Sequence, residues 1–157
     1  MKQFLSLLVL LAAAALPVPP AVAQSGSLVV FGTGELTIET AAGANHTFQV
    51  EIAETTPQRA QGLMFRRQMA ADAGMLFLFE GGLRERAMWM KNTLIPLDML
   101  FIDEAGEILR IEQRTVPHSL RAIRSGQPAA AVLELNAGTT SRLAIEPGDR
   151  VIHPAFN

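Results

Sequence analysis

Beyond residue 34 the apolar segments of this chain are short, and that limits the fold more than any other feature. Each run is a few residues long, repeats with a period of two or with none, and ends at turn-forming residues. Such runs specify strands rather than long helices. Leu36 and Ile38 share a face in residues 35–40, and Phe48, Val50 and Ile52 share one in residues 47–53, the pattern of half-buried strands. Residues 75–79, Met-Leu-Phe-Leu-Phe, form an unbroken apolar run, as expected of a strand covered on both faces. Residues 98–102 and 107–112 flank Asp-Glu-Ala-Gly and predict a hairpin. Further strands are predicted over 86–90, 130–135 and 150–153, and residues 114–128 read as a polar, basic loop.

Helical signals are few. Thr55 and Gln58 have capping-box spacing with Pro57 in the first turn, and Ala60, Leu63 and Met64 would share the buried face. Gly62 should keep this helix short, and residues 139–143 suggest one more turn. Together these features predict a mostly β (α+β) domain: a small barrel-like or curled antiparallel sheet of about seven short strands with one or two short helices.

The N-terminus differs in kind. Lys2 precedes an apolar run from Phe4 to Leu16, followed by three prolines and Ala21-Val22-Ala23, the arrangement of a cleaved secretory signal. The run is shorter than the ~20 residues that span a bilayer. The expected organisation is a signal peptide over 1–23, a tether over 24–34 and one domain over 35–157. The expected location is periplasmic or secreted, with no stable membrane insertion after cleavage and a monomeric state.

The chain of 157 residues has no cysteine, which excludes disulfides, thiolate metal sites and thiol catalysis. Its formal charge of −2 offers no general field for nucleic acid. Phosphate-binding and dinucleotide glycine motifs, a nucleophile elbow and metal-binding histidine pairs are all missing from the sequence.

Four segments occur in order: Gln61-Gly62-Leu63-Met64-Phe65-Arg66, Gly74-Met75-Leu76-Phe77, the ten residues from Trp89 to Asp98 (WMKNTLIPLD), and Val132-Leu133-Glu134-Leu135-Asn136-Ala137-Gly138. Together they resemble the DUF192 family, also called UPF0127, of small and often exported bacterial and archaeal proteins. The resemblance spans roughly residues 47–152. It implies a compact, mainly β domain and no particular activity, so no catalytic residue carries over.

The candidate site residues come from the third segment. Lys91, Asn92, Thr93 and Asp98 bring a cation, an amide, a hydroxyl and a carboxylate into one irregular stretch beside the aromatic Trp89, a set able to orient a polar ligand. The same side chains also commonly satisfy the backbone of their own loop. Arg66, in a basic pair with Arg67, is added as an anion-binding group. The leading expectation is a non-enzymatic module that binds a small molecule or a periplasmic protein, with no cofactor.

Two alternatives stand beside it. All six methionines after Met1 fall between residues 64 and 99. Thioethers select Cu(I) or Ag(I), so Met64, Met88 and Met90, with His118, form a possible soft-metal set; methionine also fills irregular cores. On a strand, Met88 and Met90 would share one face. The second alternative is a hydrolase-like enzyme using Asp98 and His118.

Overall fold

The computed structural model describes residues 29–156; the expected signal peptide and the first residues of the tether lie outside them. Strands β1 (Gly32–Glu39) and β2 (Asn45–Ala53) form an antiparallel hairpin. The chain then passes through helix α1 (Thr56–Gln61) into β3 (Ala73–Leu78), which lies parallel to β2. The capping box forms: the Gln58 amide donates to the Thr55 hydroxyl at 3.4 Å, and the Thr55 amide donates to the Gln58 side chain at 2.8 Å. Gly62, at φ 48°, ends the helix, so Leu63 and Met64 follow it instead of lying on its face.

Next come β4 (Arg84–Met88), β5 (Leu97–Ile102), β6 (Ile108–Glu112), β7 (Ile123–Ala129), β8 (Ala131–Asn136), α2 (Thr139–Leu143) and β9 (Arg150–Ile152). Seven strands form one sheet in the order β6-β5-β8-β3-β2-β1-β9, while β4 and β7 pair separately. The large sheet curls until its edges meet. Glu107 bridges to Arg150, the Ile108 amide donates to the Asp149 carbonyl at 2.9 Å, and the Val151 amide donates to the Gly106 carbonyl at 2.7 Å. The result is a nearly closed barrel.

Strand alternation divides the apolar residues between two cores. Leu76, Leu100, Ile102, Leu133 and Leu135 point to the barrel interior with Leu36, Ile38, Phe48 and Val50. Met75, Phe77, Met99, Phe101 and Val132 point outward and pack against Leu63, Met90 and, from β7, Ile123 and Ala129. The central strands β3, β5 and β8 are therefore covered on both sides, which is why their sequences are nearly continuous apolar runs.

Four local expectations are corrected. β1 begins at Gly32, inside the segment expected to be tether. The sheet is not wholly antiparallel, because α1 and the segment after it return the chain to make β3 parallel to β2. β4 stops at Met88, so Met88 and Met90 do not share a strand face. β7 occupies the second half of the expected basic loop. Its Gly126 and Pro128 hide it from a strand pattern, and a two-stranded sheet tolerates both because each of its strands has a free edge. The curled sheet has the expected seven strands, and β4 and β7 add a second sheet of two.

The closing seam depends on Gly106. It sits at φ 86°, and a Cβ there would collide with the Val151 carbonyl and crowd Phe156. Gly106→Ala is expected to destabilise the domain by about 1–3 kcal/mol, measured by urea unfolding. A change within the scatter of surface variants would mean that the seam does not need this close approach.

Candidate functional site

Asp98, the second residue of β5, is fully buried on the inward side of the barrel wall. Its Oδ1 accepts from the amides of Arg114 at 2.9 Å and Gly138 at 3.0 Å. Its Oδ2 accepts from the Thr140 amide at 3.0 Å and the Thr140 hydroxyl at 2.8 Å. Four donors occupy the carboxylate's acceptor positions, so Asp98 ties the loop after β6 and the start of α2 to the barrel. It is not a free ligand. His118 is exposed and is not among its partners, so the structure does not assemble the Asp98–His118 pair.

The remaining residues of the third segment lead to a cavity of about 140 Å³ between the α1 region and the loop after β4. Phe77, Phe79 and Trp89 supply aromatic walls, and Met64 and Met88 supply thioethers. Lys91 and Thr93 lie in the wall, whereas Asn92 does not. The loop carrying them is pinned by its backbone. The Thr93 amide donates to Met90 at 3.0 Å, the Thr93 carbonyl accepts from His118 at 3.2 Å, and the Asn92 carbonyl accepts from Phe65 at 2.9 Å. Asn92 itself adopts φ 55°, a left-handed conformation that asparagine tolerates better than most residues. Lys91 places its ammonium 5.2 Å from the Trp89 ring centre, and Trp89 is half exposed at the rim. Arg66 lies elsewhere, paired with Glu51 and stacked over Phe31.

The sequence candidates included neither Arg59 nor Glu134, and both lie in the wall. Glu134 sits mid-strand in β8, in register with Met75 on β3 and Met99 on β5. Its neighbours Leu133 and Leu135 face the barrel interior, so Glu134 faces outward, toward the cavity. It is only 4% exposed, and among the described residues its carboxyl has no hydrogen-bond or ion-pair partner. Burial pushes its pKa up to about 8, because a charge there would lose its hydration without compensation. The carboxyl is thus mainly protonated at neutral pH and can act as a donor. The available signal was a single acid inside Ala-Val-Leu-Glu-Leu, a run otherwise apolar on both strand faces.

Only part of the proposed soft-metal set converges. Met64 and Met88 reach the cavity. Met90 is fully buried, with its sulfur 3.2 Å from the Thr115 hydroxyl, and His118 is outside the wall. Among the described residues no three His, Asp or Glu side chains form a metal-holding group. Any metal here would rest on two thioethers and Glu134.

Comparison with known proteins places this architecture in a family. The model of DUF192, described as "Uncharacterized ACR", matches residues 37–153, and the chain belongs to that family. A solved structure described as "a putative transcription regulator" from Sinorhizobium meliloti 1021 is similar, with 50% identity and a TM-score of 0.79 over 81% of this chain and 98% of that one. A protein of unknown function from Novosphingobium aromaticivorans DSM 12444 is also similar, with 35% identity and a TM-score of 0.75 over 90% of this chain and 94% of that one. No curated protein matches the chain.

The buried acids Asp98 and Glu134 predict different outcomes. Asp98→Asn would turn an amide NH2 toward donors and is expected to lower stability by about 2–4 kcal/mol in urea unfolding; a loss well under 1 kcal/mol would show that the four-donor tie is dispensable. For Glu134 the folded state holds its proton up to about pH 8, while the unfolded state releases it near 4.5. Stability contributed by this group therefore falls as pH rises between those values, by about 3–5 kcal/mol in all. Glu134→Gln should unfold like the parent near pH 5 and be the more stable of the two above pH 8. Parallel stability profiles for the two proteins across that range would disprove the shift.

Proposed function

We propose that this protein is an exported, non-enzymatic binding module that takes a small ligand into the cavity beside Glu134. The observation carrying this reading is an unpartnered, buried carboxyl facing a cavity with aromatic and thioether walls. Buried polar groups normally find partners, and one left open toward a cavity is free to bond a group that enters it. A volume of about 140 Å³ is close to that of an apolar cavity known to hold benzene, which sets the ligand's buried part at about one aromatic ring. The wall joins this acid to a single hydroxyl residue, Thr93, with no histidine beside it, a composition suited to holding a ligand more than to activating a nucleophile. Export is supported by the signal-like pattern of residues 1–23.

A second reading, Cu(I) or Ag(I) binding, is favoured by one observation: Met64 and Met88 both line this cavity with Glu134.

Thermal melting of the purified protein against small aromatic molecules, amines, carboxylates and Ag(I) tests both. A ligand at a hundred times its Kd adds about 2.7 kcal/mol to the native state. The stabilising ligand should lose most of its effect in Trp89→Ala and Lys91→Ala and keep it in Arg66→Ala, which lies outside the cavity. An equal loss in all three variants would place the binding site elsewhere. Stabilisation by Ag(I) alone, lost when Met64 and Met88 are both changed to leucine, would favour the metal reading.

A further inference from the structure

The surroundings of the cavity carry a charge pattern that the chain as a whole does not. Arg59, Arg86 and Lys91 lie against Phe79 and Trp89, Arg84 lies near enough to act on Arg86, and none of the four takes part in an ion pair among the described residues; the pairs found there join Glu51, Glu85 and Glu112 to other arginines. Arg59 and Arg86 stand over the Phe79 ring at 5.8 and 4.6 Å, and Lys91 stands over Trp89. The pKa of Arg86 is lowered, first by burial and then by repulsion from Arg84 and Arg59. The cations therefore act on one another with no anion between them, in a protein whose formal charge is −2.

We infer that the cavity accepts a small organic anion: a carboxylate on an apolar body of about one aromatic ring, with its charge toward Lys91 and Arg59 and Glu134 donating a hydrogen bond to a second oxygen of the ligand. This rests on the binding reading above and adds the sign and shape of the ligand. The rings and thioethers fit the apolar body, and the exposed Lys91 meets the charged end, with the half-buried Arg59, held by the Glu54 and Leu78 carbonyls and the Thr56 hydroxyl, adding its positive charge. A neutral carboxyl at the floor donates where an ionised one would repel an anion. The charged groups facing Glu134 come from few elements. Arg59 belongs to α1 and Lys91 to the loop after β4, while Arg86 of β4 lies behind Phe79. β3 and β5 present Met75 and Met99 at its level, and Asp98 faces the other side of the sheet. Burial alone raises the Glu134 pKa, so these cations leave its proton in place until about pH 8.

The probe is 4-methoxybenzoate, whose ether oxygen and carboxylate do not titrate in the working range, compared with 4-methoxybenzylamine and Ag(I). Binding is measured calorimetrically on the purified protein near pH 6.5 and near pH 9.5. The benzoate should bind at least about tenfold more tightly than the amine at the lower pH, and about tenfold or more weakly at the higher pH as Glu134 ionises. Glu134→Gln, whose amide is still a donor, should keep the affinity within about threefold and lose the pH dependence. Lys91→Ala should weaken binding at least about threefold. Tighter binding of the amine, or binding of Ag(I) alone, would overturn the anion inference while leaving a ligand cavity. Loss of benzoate binding in Glu134→Gln, or an affinity indifferent to pH, would overturn the role of Glu134. Failure of all three probes to bind at millimolar concentration would overturn both the inference and the binding reading beneath it.

Discussion

A carboxylate inside a hydrocarbon barrel is tolerable only when its charge is fully solvated by protein, and Asp98 meets that condition with donors from two separate loops. Arg114 and Gly138 take left-handed conformations as they present their amides, at φ 51° and 84°. The strain of the non-glycine residue is held in place by a charge-assisted bond about twice as strong as a neutral one. Thr115, beside Arg114, then accepts from the Leu97 amide at 3.0 Å while its own amide donates to the Leu97 carbonyl at 2.8 Å. The start of β5 is thereby fixed between the loop after β6 and the entry to α2. Since β5 lies between β6 and β8 in the sheet, the positions of Met99 and its cross-strand partner Glu134 follow from the same tie.

Two buried acids on adjacent strands thus have opposite fates. Asp98 faces inward, meets four donors and serves the fold. Glu134 faces outward, meets none and is held in the protonated form by desolvation. A side chain that only filled space at that position would be better as leucine or methionine, like its register neighbours Met75 and Met99. Retaining an acid there makes stability decline with pH, a cost without any structural return in the packing around it.

The barrel could be read from the chain because its signals are local. The alternation in β1 and β2, the capping box before α1, and the Asp-Glu-Ala-Gly hairpin each depend on a few adjacent residues. β7 could not be read that way: Arg124, Gly126 and Pro128 resemble loop residues, and only pairing with β4 forty residues earlier makes them a strand. The site divided in the same manner. Trp89, Lys91 and Thr93 were found because a polar cluster interrupts an apolar sequence, and they do share a cavity wall. Asp98 belongs to the same cluster in sequence, but strand alternation turns it to the other face of the sheet. Glu134 is separated from the cluster by some forty residues, and its role depends on what packs over β8, which sequence spacing does not encode.

The position of the cavity follows from how the barrel's outer face is covered. β3, β5 and β8 bury both faces and so need a second layer, which two different elements supply. From one side come α1 and the turn after it, ending in Gly62 beneath Phe77; from the other come β4, β7 and the loop through Trp89. A short helix and a two-stranded sheet have different thicknesses and curvatures, and side chains cannot close every gap where they meet. Here the gap lies over the middle of β8, above the buried carboxyl of Glu134. Filling it with a larger aliphatic side chain would have been an easy gain in packing. The space is lined instead by rings and thioethers, which adapt to the shape of a guest, and bordered by cations that among the described residues have no ion-pair partner. Void, acid and cations coincide at a single seam, and a ligand is the occupant that would satisfy all three.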